Sequence, residues 1–190
     1  TYVPNTWNFQ TIIPFDDTSY ICVGSGVSID TAAGNHWGTT DVVLARLNGN
    51  GTVLWKKYYG GSKGDNGVDV IKTTDGGFAV LANTNSTDGQ LTGAAPLSGF
   101  ESNAWVFKIN TAGGLLWQKS LDYLDSTFFD KGNRILIANN QQLVVYAPPG
   151  AYLVDQTSGA ATDFTNMNAA LYNTTSIGVA ICRTYNNDGY

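Results

Sequence analysis

The sequence predicts an all-β fold of three repeated four-stranded antiparallel units, arranged as β-propeller-like blades. Three observations predict it. A Trp-bearing hairpin stretch recurs along the chain, every periodic segment alternates with period two, and the copies are spaced by about 60 residues, room for four strands each.

Residues 1–6 precede the repeats and read as an N-terminal arm, free or donated to a neighbour. The rest, 7–190, reads as a single repeat domain with units at about 7–64, 65–129 and 130–190. The first unit opens with FQTIIPFDDTSYICVGSG from Phe9, a hairpin turning at Asp17-Thr18-Ser19. Its second hairpin is Asp41–Tyr59, DVVLARLNGNGTVLWKKYY. There Asn48-Gly49-Asn50-Gly51 makes the turn, and Asn-Gly is expected to supply positive φ at both central positions.

The second unit repeats both hairpins. Val68 to Asn83, VDVIKTTDGGFAVLAN, sets Val70 against Ile12, Asp75 against Asp17 and Phe78 against Tyr20. Asp75-Gly76-Gly77 is a tight turn, since glycine tolerates the left-handed region. Asn103–Lys119, NAWVFKINTAGGLLWQK, puts Trp117 where the first unit has Trp55. The predicted strands are about Val68–Thr73, Gly77–Asn83, Ala104–Ile109 and Gly114–Leu121.

The third unit follows the second at a constant offset of 65 residues, so that Asp130 matches Asp65, Gly132 matches Gly67, Leu143 matches Phe78 and Asn140 matches Asp75. The same offset carries Asn103 to Asn168 and Trp117 to Cys182, making Asn168–Arg183 the last hairpin. Between hairpins lie Gly24–Thr40, Asn85–Ser102 and Pro148–Asn166, Gly/Ser/Thr/Pro-rich and without periodicity, which reads as loop. No segment reads as a helix.

Charged residues make up 13% of the chain and the formal net charge is −5. Such a balance disfavours a nucleic-acid backbone or an anionic lipid surface as partner. No run of 18 apolar residues occurs, so no membrane-inserted helix is expected. The opening TYVPNTW has neither basic n-region nor apolar h-region, which reads as a cytosolic chain or a mature secreted one, and the composition favours the second.

Few residues carry chemistry. His36 is the single histidine, so no histidine metal cluster is expected, and no cofactor either. Asn35, His36 and Trp37 sit in a long loop, and the unrepeated Trp37 is the best ligand-contacting aromatic. Trp55 and Trp117, with Cys182 at the matching place, read as wedges packed between adjacent blades; a sugar-stacking platform is the alternative. Asp65 and Asp69, in Asp65-Asn66-Gly67-Val68-Asp69, are a weak calcium-ligand pair off the EF-hand spacing. Cys22 and Cys182 are either small buried residues inside strands or one disulfide tying the first repeat to the last. Asn85 and Asn173 head N-linked acceptor patterns.

The tokens W-K-K-Y-Y-G-G-S at 55–62, D-V-I-K-T-T-D-G-G-F at 69–78 and N-A-W-V-F-K-I-N-T-A-G-G-L-L-W-Q-K at 103–119 resemble the repeats of secreted propeller-type bacterial surface proteins that accompany type IX secretion sorting domains. The resemblance is specific over 41–123, weaker over 8–40 and faint over 124–186, where the third unit lacks both the Trp and the Asp-Gly-Gly. It implies β-propeller domains of extracellular proteins without catalytic assignment, and O-linked acceptors at Thr31 and Ser126. A-R-L-N-G-N-G-T-V-L-W at 45–55 is similar to the docking repeat of quinoprotein dehydrogenase propellers.

The expected function is a non-enzymatic structural or adhesive protein of the cell surface. It is expected to self-assemble into a ring or filament, because three blades are too few to close and the ends Thr11-Ile12-Ile13 and Val179–Cys182 are apolar. A carbohydrate-binding module taking glycans in its loops, and a fragment of a quinoprotein-type enzyme, are the alternatives.

Overall fold

The computed structural model describes residues 6–27, 38–91, 102–121, 131–138, 140–147 and 150–163. Twelve strands form three four-stranded sheets. The first holds β1 (Thr6–Asp16), β2 (Ser19–Val27), β3 (Asp41–Asn48) and β4 (Val53–Tyr59). The second holds β5 (Asp65–Lys72), β6 (Phe78–Thr84), β7 (Asn103–Ile109) and β8 (Leu115–Leu121). The third holds β9 (Arg134–Ile137), β10 (Leu143–Ala147), β11 (Gly150–Val154) and β12 (Ala161–Asp163). Each sheet is an antiparallel meander in chain order. One turn of 3-10 helix, Gly89–Leu91, is the helical segment among the described residues.

The sheets pack face on face. β5 lies on β1, β2 and β3 of the first sheet, and β9 lies on β5 and β6 of the second. The middle sheet is therefore covered on both faces, which explains why β6 and β7 read as apolar runs, FAVLANT and NAWVFKI, without a polar alternate. Phe78, Val80, Trp105 and Phe107 face the first sheet, where they meet Ile21, Val23, Val42 and Leu44. Ala79, Leu81, Ala104 and Val106 face the third, meeting Ile135, Leu143 and Val145. Each large side chain so buried contributes about 1.5–3 kcal/mol. Trp105 is fully buried, with its ring 4.4 Å from Phe107 and Nε1 donating to Gln118 Oε1.

The hairpin turns repeat in detail. Asn48 Oδ1 accepts from the backbone N–H of Asn50 and Thr52, and Asn110 Oδ1 accepts from those of Ala112 and Gly114. Positive φ falls on the single residues Gly51 (80°) and Gly113 (74°) of these turns, not on both central positions as expected for the first. The Asn side chain closes the loop over itself, so the chain needs left-handed geometry only at its exit. The first turn of the first unit also differs: Asp16, not Asp17, is the capping carboxylate, accepting from Thr18 N and from the Thr18 and Ser19 hydroxyls. Asp16 pairs with Ser19 across a two-residue loop, whereas Lys72 pairs with Phe78 across a longer one.

The third unit departs most from expectation. Its first hairpin matches the offset, with β10 starting at Leu143 and Asn140 Oδ1 accepting from Gln142 N as Asp75 Oδ1 accepts from Gly77 N. The second hairpin does not. β11 and β12 lie inside Pro148–Asn166, the stretch expected to be a loop. Ala147 pairs with Gly150, so the long connection of the other units is cut to two residues. The Asn48 and Asn110 cap becomes Asp155, whose Oδ1 accepts from Thr157 N and Ser158 N, and Gly159 takes the positive φ (72°). Connections vary in length more readily than the strands they join. The four strands of this unit end at Asp163, well short of the expected boundary.

β2 continues to Val27, shortening the expected loop from Gly24, and Thr6 belongs to β1 rather than to the arm. Residues 1–5 and Asn168–Arg183 lie outside the described residues.

Candidate functional site

Asn35, His36, Trp37, Thr31, Ser126, Asn173 and Cys182 all fall outside the described residues. Cys22 is a free, buried thiol in β2, and burial raises its pKa above the ordinary value. Trp55 is half-buried and packs against the core between the first two sheets. Trp117 is half-buried against the core between the second and third, and its Nε1 donates to the carbonyl of Gln156, 3.0 Å away.

Asp65 and Asp69 are both buried, and each does separate work. Asp65 Oδ1 accepts from the Thr84 hydroxyl, and Oδ2 accepts from Ser86 Oγ (2.9 Å) and Gly61 N (2.8 Å). Burial raises its pKa and the nearby Asp41 carboxylate adds to that, against the pull of these donors. The connection Gly60–Gly64 is tied down by the same segment: Gly60 N donates to Gln90 Oε1, Ser62 N to Asp88 Oδ1 and Lys63 N to Ser86 Oγ. The Y-Y-G-G-S-K-G-D token is thus the knot between the first and second sheets. Asp69 reaches the third sheet, where Oδ2 accepts from Ile135 N (3.3 Å) and lies 3.7 Å from Arg134 Nη1. Among the described residues no three His, Cys, Asp or Glu side chains group as metal ligands.

A different feature gathers polar side chains. A cleft of about 570 Å³ opens between the first two sheets. Asn8 and Gln10 of β1 and Asn66, Gly67 and Val68 of β5 line it, with Ser25, Asn83, Asn85, Ser102 and Lys131 around them. Asn8, Gln10, Asn66 and Lys131 are exposed; Ser25, Val68 and Asn85 are half-buried. Among the described lining residues Lys131 carries the one formal charge.

Two β-bulges shape the cleft. The register of β1 on β2 slips between Phe9 and Thr11, leaving Gln10 as the extra residue. The register of β5 on β6 slips between Gly67 and Asp69, leaving Val68 as the extra residue. Gln10 and Val68 hold equivalent places in the two units, at the same offset that relates Ile12 to Val70. Bulges re-aim side chains and terminate regular pairing. Gly67 sits where β5 crosses β2: a Cβ there would lie 2.5 Å from the Gly24 carbonyl oxygen. Below it Thr11 Oγ1 donates to the Val68 carbonyl (3.0 Å), fastening the floor. At the far side Asn83 clamps Gly132, accepting from its N–H (2.6 Å) and donating to its carbonyl (3.4 Å).

The side chains of Asn8, Gln10 and Asn66 form no hydrogen bond with the described residues, so their amide donors and acceptors face the cleft's solvent. Sequence reasoning passed over these residues because isolated amides on alternating strands read as a solvated face. No sequence signal marks them, because the bulges at Gln10 and Val68 are properties of strand pairing. Asn85, singled out as a glycosylation acceptor, lines this cleft, and its backbone N–H donates to the Gly64 carbonyl (3.0 Å).

No family model and no curated protein matches the chain. A solved structure similar to it is Kuenenia stuttgartiensis hydrazine synthase, with 16% identity and a TM-score of 0.44 over 83% of this chain. The match spans 40% of that chain, less than half its length.

Proposed function

We propose that this chain is a non-enzymatic structural or adhesive module of the cell surface, whose sheets act as propeller-like blades and take further blades side to side. One observation carries the reading. Ile12 is 58% exposed and Tyr20 41% exposed, on the face of the first sheet turned away from the second. Ile12 pairs with Cys22, and Ile21 and Val23 point the other way into the core, which fixes that face. Apolar side chains on the outer face of a terminal repeat favour a neighbour there.

The internal joints support it. Tyr59 OH donates to the Gly113 carbonyl (2.7 Å) across the first joint, and Trp117 Nε1 donates to the Gln156 carbonyl across the second. An aromatic from one blade reaches the last hairpin turn of the next in both cases, so one docking scheme serves successive blades. Low charge and abundant Asn, Thr and Gly suit an extracellular setting.

Light scattering and negative-stain microscopy at micromolar protein test the proposal. A ring or filament is expected, and Ile12→Lys is expected to disperse it. A particle of the 20.3 kDa chain mass in both proteins overturns the assembly reading.

A further inference from the structure

We infer that the cleft between β1 and β5 is a binding site for a neutral, hydroxyl-rich ligand, a carbohydrate. The inference stands on the cleft and does not depend on assembly. The cleft volume, about 570 Å³, falls within the roughly 300–1,000 Å³ of ordinary small-molecule sites.

The chemistry of the lining selects the ligand class. Asn8, Gln10, Asn66 and Asn85 bring four carboxamides to one concavity. Each carboxamide offers a donor and an acceptor side by side. A sugar hydroxyl is also both donor and acceptor, so vicinal hydroxyls match such a surface at every rotation. A multivalent cation favours carboxylates, and the described lining residues include none. A phosphate or other dianion would call for several cations, and Lys131 is the one cation among the described lining residues.

The construction also points to a ligand. Two equivalent bulges, at Gln10 and Val68, break the ladders of neighbouring sheets at the same level. Bulges placed so turn strand residues into a cleft instead of a closed seam. The Asn8, Gln10 and Asn66 amides, whose hydrogen-bonding groups are unsatisfied by the described residues, exchange water for ligand at small cost.

The test uses the full chain and a panel of neutral oligosaccharides: maltotriose, cellotriose, chitotriose, mannotriose and N-acetyllactosamine. Binding is read by isothermal titration calorimetry, with thermal melts alongside. At least one member is expected to bind saturably. Asn66→Ala and Gln10→Ala are each expected to weaken it about tenfold, the loss of one or two hydrogen bonds, with unchanged melting because both side chains are exposed. A second variant, Ser25→Trp, crowds the cleft wall beside Asn8 without removing any amide and is expected to abolish binding. The inference is overturned if no panel member binds at millimolar concentration. It is equally overturned if binding survives in the folded Gln10→Ala/Asn66→Ala double variant.

Discussion

Lys108 Nζ lies 2.6 Å from Asp75 Oδ2 and 2.9 Å from the carbonyl oxygen of Gln156, with its side chain 5% exposed. The pair joins the C-terminal end of β7 to the turn between β5 and β6. The first unit has the same joint, Arg46 on β3 with Asp16 at 2.6 Å, where the guanidinium also stacks 3.7 Å from the Phe15 ring. The second version adds a contact to the third sheet. Lys108 and Trp117 converge on one carbonyl, and the Gln156 side chain in turn accepts from Thr74 N (3.2 Å) and donates to the Gln141 carbonyl. One buried glutamine thereby ties the second sheet to the third.

Removing the ammonium group leaves that carbonyl to Trp117 Nε1 and takes the cation from Asp75. Lys108→Met is expected to destabilise by about 1–3 kcal/mol, the loss of buried charge-assisted hydrogen bonds. Arg46→Met should cost less, about 0–1 kcal/mol, because its pair is exposed to solvent. Urea melts of the two variants check the order.

Acid sensitivity follows from the same pairs. The Lys108 hydrogen bond, helped by Thr73, holds Asp75 at about 2, and Ser19 and Thr18 hold Asp16 at about 2. A carboxyl depressed in the folded state adds stability above its unfolded pKa and loses it as pH falls through the folded value. Stability is therefore expected to drop between about pH 4 and pH 2. In Lys108→Met the drop across that window should be shallower. An equal slope in both proteins would remove Lys108 as the cause.

Gln141 holds φ of 67° where the matching residue of the second unit is Gly76 at 87°. A left-handed residue with a Cβ is strained by about 1–2 kcal/mol. Gln141→Gly should stabilise the chain by about 1 kcal/mol after the extra entropy of glycine in the unfolded state is subtracted. Its backbone carbonyl, the acceptor for Gln156, is unchanged by the substitution. A lower denaturation midpoint would contradict this.

Much of the strand plan was legible, because period-two alternation and the Trp hairpin are written directly into residue types. The equivalences Ile12 to Val70 and Phe78 to Leu143 needed only a constant offset. That offset failed after Ala147, where a shortened connection brought Gly150 opposite Ala147 and set β11 and β12 inside the stretch read as loop. Asp155 and Gly159 carried the cap signal there, but without a Trp nearby they looked like loop. Gln156 could not be found from sequence, since its backbone carbonyl does most of the work and any residue type has one. The cleft was hidden for a related reason: bulges are properties of pairing, and pairing is invisible in one strand.

The tryptophans should rank by burial. Trp105→Ala, at a fully buried ring, is expected to cost about 3–5 kcal/mol. Trp117→Ala and Trp55→Ala, both half-buried, should cost less, with Trp117 the larger of the two because it also bonds Gln156. Trp117→Phe isolates that bond and should lose about 1 kcal/mol. Calorimetric melts of the four variants would expose a different order.

Gly67 and Gly132 hold matching positions where one sheet crosses the next, yet their surroundings differ. A Cβ on Gly67 would meet the Gly24 carbonyl oxygen at 2.5 Å and Val23 Cγ2 at 2.7 Å. Backbone cannot yield there without separating β5 from β2. A Cβ on Gly132 would meet the side chain of Leu81, with Cδ1 at 2.5 Å, and a leucine terminus can rotate. Gly67→Ala is therefore expected to destabilise by about 2–3 kcal/mol, as overpacking against rigid neighbours does, and Gly132→Ala by about 1 kcal/mol. The first change also has a second consequence. Gly67 lines the cleft beside Asn66 and Val68, so forcing β5 away from β2 widens it. Oligosaccharide affinity should fall in Gly67→Ala at temperatures where the protein remains folded, and stay at the wild-type value in Gly132→Ala. Equal costs for the two alanines would show that the approach at Gly67 is relieved by backbone movement, and that the crossing is softer than its contacts imply.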